Sequence, residues 1–268
     1  MHVRPTLHIA HRGGAALAPE NTLCAFRQAV GTWHTDMIEL DVRPTADGVL
    51  VVFHDDDLDR CTDAQGPVSG RTWADLARVD AGHRFTPDDG ANYPYRGQGV
   101  RIARLEEVLA EFPTLPLNVE LKSGPLSAAA VAPLVALLRR HEALERVCLG
   151  SEDDALGAAL HEAAPEGCHF FPAQALTALV MSLKTGRPVV VDPRFRVLDM
   201  PFIWQGIRLI DAPLLDACAA HGLWVNAWTV DSPDEMRYLL GFGLRMGGIM
   251  TDRPDLLRRE IDARAETP

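Results

Sequence analysis

Short apolar runs alternate with stretches of helical periodicity along the whole chain. The runs LHIAH (7–11), MIELDV (37–42), VLVVFH (49–54), LPLNVEL (115–121), RVCLG (146–150), CHFFP (168–172), PVVVD (188–192), LWVNAWTV (223–230) and GGIMT (247–251) predict strands. Residues 21–31, 104–112, 127–140, 153–163, 174–184, 212–221, 233–241 and 254–262 predict helices. Asp47-Gly48 marks a turn between the second and third runs. Ser232-Pro233-Asp234-Glu235 predicts a capping box with proline in the first turn, and Asp252 before Arg253-Pro254-Asp255 repeats the idea. Strand–helix alternation repeated about eight times implies a parallel sheet with helices outside. A closed (β/α)₈ barrel takes about 250 residues, and a doubly wound open sheet is its rival. The first strand is not followed by G-x-G-x-x-G, which counts against that rival. The rhythm breaks over 55–103, where glycine, proline and aspartate are dense, and this segment reads as an insertion.

Polar residues interrupt these runs in a pattern. Side chains two apart in a strand share a face. Glu39 and Asp41 therefore point the same way from an otherwise apolar strand, as do Asn118, Glu120 and Lys122. The first strand ends His11-Arg12-Gly13-Gly14, the third ends His54-Asp55, and Asn226 and Trp228 share a face near the end of a later strand. In a barrel these residues meet at one rim. Three carboxylates suit a hard divalent cation, which would turn the repulsion between Glu39 and Asp41 into attraction. Imidazoles titrate near neutrality and can act as acid and base, while Arg12 and Lys122 can hold a phosphate. The two glycines leave backbone N–H groups that an anion can approach. Any of these alone has a plain structural reading: a solvated acid pair, a hydrogen-bonded histidine, a lysine neutralising Glu120, a core tryptophan. Their joint occurrence points to phosphate chemistry.

Composition narrows the field. A net charge of −11 argues against nucleic acid as a partner and requires local cations for any phosphate ligand. No apolar run is long enough to span a membrane, and the start MHVRPTLHIAHRGG reads as having no secretory leader. Five scattered cysteines without a Cys-x-x-Cys pair argue against a disulfide framework, so a reducing cytoplasm is the expected compartment.

The segments HRGGAALAPENTLCAF (11–26), IELDVRPTADGVLVVFHDDDLDRCTD (38–63), LEEVL (105–109), NVELK (118–122), VNAWTVDSPDEM (225–236) and GGIMTDRPDLL (247–257) together resemble the glycerophosphodiester phosphodiesterase family, in the family's order and over most of the chain. The resemblance implies a (β/α)₈ TIM barrel formed by one catalytic domain over 1–268, with a small inserted subdomain after the second barrel strand at 55–103. It implies His11 and His54 as the acid–base pair, and Glu39, Asp41 and Glu120 as ligands of Mg²⁺ or Ca²⁺, with Mn²⁺ also compatible. Arg12 and Lys122 would contact phosphate and Trp228 would line the substrate pocket. The expected reaction is hydrolysis of a glycerophosphodiester to an alcohol and sn-glycerol 3-phosphate. Phe85, Tyr93 and Tyr95 of the insertion are candidate head-group contacts. The alternatives are a related barrel phospholipase of the sphingomyelinase D or phosphatidylinositol-specific type, which a chain without an evident membrane-binding apolar patch fits less well, and a barrel that binds glycerophosphodiesters without cleaving them.

Overall fold

In the computed structural model, which describes residues 6–265, eight strands run parallel in one sheet. They are β1 (Leu7–Ala10), β2 (Met37–Pro44), β3 (Leu117–Leu121), β4 (Val147–Gly150), β5 (Cys168–His169), β6 (Val197–Pro201), β7 (Trp224–Trp228) and β8 (Gly248–Thr251). Their order around the sheet is β5-β4-β3-β2-β1-β8-β7-β6. A parallel bridge between Phe170 and Val197 joins β5 to β6, so the sheet closes into a barrel. The helices α1 (Leu23–Gly31), α2 (Leu105–Glu111), α3 (Ser127–Arg140), α4 (Asp154–Ala163), α5 (Ala173–Thr185), α6 (Ala212–Ala220), α7 (Pro233–Leu240) and α8 (Pro254–Ala265) follow the strands in turn. This is the expected (β/α)₈ architecture. Residues 1–5, which include His2 and part of the stretch read for a leader, lie outside the described residues.

The period of two divides each strand between barrel interior and helical shell. Ile38, Leu40 and Val42 of β2 join Leu117, Val119 and Leu121 of β3 in one apolar cluster with residues of α2, α3 and α4. Val225 and Ala227 of β7 do the same in a second cluster with α6 and α7. The intervening positions, Glu39, Asp41, Asn118, Glu120 and Asn226, are thereby turned inward. Burying the outward rows is the main stabilising term, at about 25 cal/mol per Å² of apolar surface.

Beyond the barrel rim β2 continues into an antiparallel pairing with Leu50–Val52, which in turn pairs with Ala103–Arg104. Between these lies an excursion with two short helical turns, Val68–Gly70 and Trp73–Leu76. It has a small core of its own, in which Val51, Phe53, Leu58, Val68, Leu76 and Ile102 pack together.

The differences from expectation have local causes. The run 188–192 is not a strand: Val190 is exposed, and the sheet position beside β5 is taken by Val197–Pro201. A tight hairpin, Ile203–Trp204 paired with Ile207–Arg208, follows it unannounced. Ser232 precedes α7 without a side-chain capping bond, although Pro233 sits in the first turn as expected. The N–H of Gly14 donates to the His11 carbonyl at 2.8 Å and is not available to an anion. All five cysteines are free thiols, and among the described residues no helix is long and apolar enough to cross a membrane.

His8 of β1 is fully buried with neither ring nitrogen hydrogen-bonded. Burial, helped by Arg258, pushes its pKa down from 6.5 to about 4. Between those values the unfolded chain takes up a proton that the folded chain refuses. Stability present above pH 6.5 is therefore lost progressively as pH falls toward 4. Guanidinium titrations of wild type and His8→Leu at pH 7 and pH 4 should show the variant sparing a loss on the order of 3 kcal/mol. Equal acid sensitivity of the two proteins would remove His8 as a cause.

Candidate active site

The register of the strands assembles the acidic cluster. Asp41 pairs with Glu120 and Glu39 with Asn118 across β2 and β3, so two inward rows lie side by side. Ala10 of β1 pairs with Ile38, which places His11 level with Glu39. Glu39, Asp41 and Glu120 each offer an oxygen within 4.8 Å of the others. They sit where charge is expensive. Burial, then Asp41, raises Glu39 to about 8, and burial raises Glu120 to about 7 despite Lys122, with Asp41 adding to the rise. Three crowded, desolvated carboxylates are a donor set for a hard divalent cation, because its charge would offset both burial and mutual repulsion.

Cations and amides of the chain hold this cluster. The Arg12 backbone N–H donates to Glu39 at 2.9 Å, and its guanidinium pairs with Glu20 at 2.9 Å and approaches Asp41 at 3.4 Å. Lys122 lies 3.0 Å from Glu120 and 3.7 Å from Asp41. Arg12 adopts φ 51°, a left-handed conformation uncommon for its residue type, at the turn that ends β1. Gly13 beside it has φ 84°, and a Cβ there would lie 2.7 Å from the Phe26 ring, so the turn requires glycine.

The two imidazoles differ in their surroundings. His11 Nδ1 lies 2.8 Å from Asp252, and its Nε2 is 3.8 Å from Glu39. Burial opposes its charge, but Glu39 and Asp252 outweigh burial and lift it to about 9. His54 Nδ1 lies 2.6 Å from Asp55. There burial prevails over Asp41 and Asp55 and lowers the ring below its ordinary value. Each carboxylate partner on Nδ1 fixes the ring and leaves Nε2 for the cleft.

His11, Arg12, Glu39, Asp41, His54, Glu120, Lys122 and Trp228 all line one cleft of about 720 Å³. The candidate acid–base, metal and phosphate residues and Trp228 are thus brought to the same rim. Phe85, Tyr93 and Tyr95 are not in its walls; Phe85 and Tyr95 pack edge to face on each other at 5.3 Å instead.

Sequence reasoning missed several contributors. Asp252, read as a helix cap, bonds His11. Asn21, read only as a helix start, donates to Asp41 at 2.8 Å and accepts the Asp41 N–H at 3.2 Å, from a left-handed φ of 58° that asparagine tolerates. Asp199 is bridged by Asn118 and Asn226 at 2.7 and 2.8 Å, and went unseen because its strand was placed elsewhere. Arg60 of the excursion ion-pairs with both Asp55 and Glu20, and so links His54, hydrogen-bonded to Asp55, with Arg12, paired to Glu20.

A model of the glycerophosphoryl diester phosphodiesterase family matches residues 11–256. The chain belongs to that family. Its members are phosphoric diester hydrolases, and this chain is one of them. A glycerophosphodiester phosphodiesterase from Caldanaerobacter subterraneus subsp. tengcongensis is 31% identical over 94% of this chain and 96% of its own length. The crystal structure of a glycerophosphodiester phosphodiesterase from Agrobacterium tumefaciens superposes with a TM-score of 0.74 at 26% identity, covering 95% of this chain and 99% of that one. An Oleispira antarctica phosphodiesterase, solved in complex with the product sn-glycerol-3-phosphate, superposes with a TM-score of 0.72 at 25% identity, covering 95% and 96%. The family relationship spans the barrel and the excursion alike.

Asn21 contributes through buried hydrogen bonds to Asp41, and its loss should show as stability. Asn21→Ala leaves an Asp41 carboxylate oxygen and N–H short of a partner and places alanine at positive φ. A destabilisation of about 1–3 kcal/mol is expected in denaturant unfolding. An unchanged midpoint would mean that Asn21 does not hold Asp41.

Proposed function

We propose that this chain hydrolyses glycerophosphodiesters to an alcohol and sn-glycerol 3-phosphate, with His11 and His54 as the acid–base pair and a divalent metal ion held by Glu39, Asp41 and Glu120. The observation that carries the reading is that both imidazoles and all three carboxylates line a single cleft. A family neighbour solved with sn-glycerol-3-phosphate supports the product.

The bound cation would supply charge stabilisation to the phosphate as negative charge builds on it. The residues of the chain supply the rest. Arg12 and Lys122 add positive potential in a molecule of net charge −11, and Trp228 borders the substrate. One imidazole takes a proton from the nucleophile and the other gives one to the leaving alcohol oxygen. Asp252 and Asp55 keep the two rings oriented through Nδ1. The nucleophile is either the neighbouring glycerol 2-hydroxyl, through a cyclic phosphate that water opens, or water directly. Mg²⁺, Ca²⁺ and Mn²⁺ all suit an all-carboxylate set. Glu20, Asp55 and Arg60 unite the excursion with the barrel, which supports reading 1–268 as one catalytic domain with 55–103 as its subdomain. Five free thiols favour a reducing compartment, the cytoplasm, and the proposed substrate and product favour a role in lipid and glycerol metabolism.

His11→Ala and His54→Ala should each lower kcat by about 10²–10⁴-fold while thermal unfolding changes little. Near-wild-type turnover by either variant would take that histidine out of the chemistry. Glycerophosphocholine cleavage, followed as released glycerol phosphate, should stop in excess chelator and return with added Mg²⁺, Ca²⁺ or Mn²⁺. Persistent turnover in chelator would defeat the metal assignment. Tight binding of glycerophosphocholine without product, in the presence of metal, would favour a binding protein instead.

A further inference from the structure

We infer that Cys148 and Cys168 are a peroxide-responsive thiol pair, which hydrogen peroxide closes to a reversible disulfide across β4 and β5. The two residues are direct partners in the parallel pairing of these strands. Their sulfurs lie 3.8 Å apart. Neighbouring strands hold paired Cα atoms about 4.7–4.9 Å from each other, which is within the span of a disulfide. Closing the bond requires the sulfurs to approach to about 2.0 Å. Cys168 is exposed, so turning its side chain about χ1 can supply that movement.

The strand pattern sets up the pair. Val147 and Leu149 of β4 belong to the apolar cluster beneath the helices, so Cys148 between them turns toward the barrel interior, level with Asn118 of β3. There it is buried against Phe170 and Val197. Cys168 opens β5 and is exposed to solvent. Peroxide can therefore reach one sulfur, and the second lies directly behind it. Neither cysteine lines the cleft that holds the acids and the imidazoles.

The five thiols are unequally prepared for oxidation. Burial raises the pKa of Cys24, and raises Cys61 to about 12 and Cys218 to about 11. Hydrogen bonding with Cys148 instead holds Cys168 below its ordinary 9.0, against burial and Asp199, and Arg196 adds to the lowering. The thiolate is the form that attacks peroxide. The Cys168 sulfur bonds to one peroxide oxygen, the O–O bond breaks, and the other oxygen leaves as water with the thiol's proton. The Cys148 sulfur then attacks the resulting sulfenic sulfur, the S–O bond breaks, and the hydroxyl leaves as water with the Cys148 proton. Two thiols lose two electrons and one peroxide becomes two waters. Cys148 is held protonated first by its contact with Cys168 and then by burial. The first of these causes lapses once Cys168 is a neutral sulfenic acid. Transient disulfides of this kind are the sort that a reducing compartment tolerates, and an exposed one is open to reduction.

The test uses the whole protein, reduced with dithiothreitol, freed of it and given a small excess of hydrogen peroxide. Remaining thiols are blocked with N-ethylmaleimide. The protein is then cut, without reduction, by a glutamate-specific protease, which cleaves between the two cysteines at Glu152, Glu162 and Glu166. Mass spectrometry should show one dominant disulfide, joining Cys148 to Cys168, with Cys24, Cys61 and Cys218 blocked. Reduced glutathione should reopen it and restore all five blockable thiols. In Cys148→Ser the Cys168 sulfenic acid has no partner, so its capture by dimedone should exceed that in wild type at least about fivefold. Cys168→Ser should form no bridge, and unfolding midpoints check that both variants are folded. A treated wild type whose Cys168 stays unoxidised, passes to sulfinic acid unbridged or pairs with another cysteine overturns the inference. So does a bridge that glutathione cannot open. None of these outcomes touches the hydrolase reading, since neither thiol lines the cleft.

Discussion

Three carboxylates held within 4.8 Å of one another, on strands whose outward faces are almost wholly apolar, are the constraint to which the rest of the rim conforms. Burial alone would protonate such a group. The barrel prevents its members from separating, because Asp41 and Glu120 are cross-strand neighbours in a register fixed by the apolar rows behind them. A slip of one residue would turn every acid into the helical shell and every leucine into the cleft. The repulsion is therefore built in and has to be met locally. Lys122 meets it at Glu120, Arg12 at Asp41 and through its backbone at Glu39, and Asn21 at Asp41. These partners leave Glu39 and Glu120 with carboxyl groups far above their ordinary range, so room remains for more positive charge. A divalent ion is the compact form in which that charge can arrive.

The second organising feature is how the excursion is fastened. Arg60 comes from the segment outside the barrel, yet it donates to Asp55 at 2.6 Å and to Glu20 at 2.7 Å. Glu20 in turn pairs with Arg12. Exposed ion pairs are worth little singly, but here several share partners around a half-buried glutamate whose carboxyl they hold down at about 2 against the cost of burial. The chain of pairs begins at one imidazole and ends at the acidic cluster. A displacement of the excursion would thus be felt at His54 and at Asp41 together.

Much of this was legible before the fold was seen, for a reason specific to barrels. Period-two alternation identified Glu39, Asp41, Glu120 and Lys122 as inward-facing on their strands, and strand ends located His11 and Arg12. Closure then did the work of convergence without any further information. What escaped notice depended on pairings that no local pattern reveals. Asp252 looks like any helix-initiating aspartate until β8 lies beside β1 and presents it to His11. Asp199 was invisible because Pro188–Asp192 is the more β-like run in isolation, and only neighbour contacts select Val197–Pro201. The hairpin was unreadable for a related reason: its turn, Gln205-Gly206, has positive φ at both residues, yet glutamine is not the usual residue for such a turn, and the two-residue strands flanking it are too short to show alternation.

The position of these misses is informative in itself. The site residues that the sequence announced come from β1, β2, β3 and β7, with His54 just past Leu50–Val52, and polar residues there stand out against apolar neighbours. The side of the barrel around β5 and β6 is different. β5 has two residues, one backbone bridge carries the junction with β6, and the following loop and helix contribute apolar rather than charged walls. Apolar side chains that line a cleft have the same sequence signature as those that line a core, so the acidic side of the cleft could be read and the apolar side could not. The acidic cluster sits on the continuous half of the sheet, where strand register fixes the spacing of like charges. On the other half a single bridge joins β5 to β6, so the cleft wall there is set by helix and hairpin rather than by strand register.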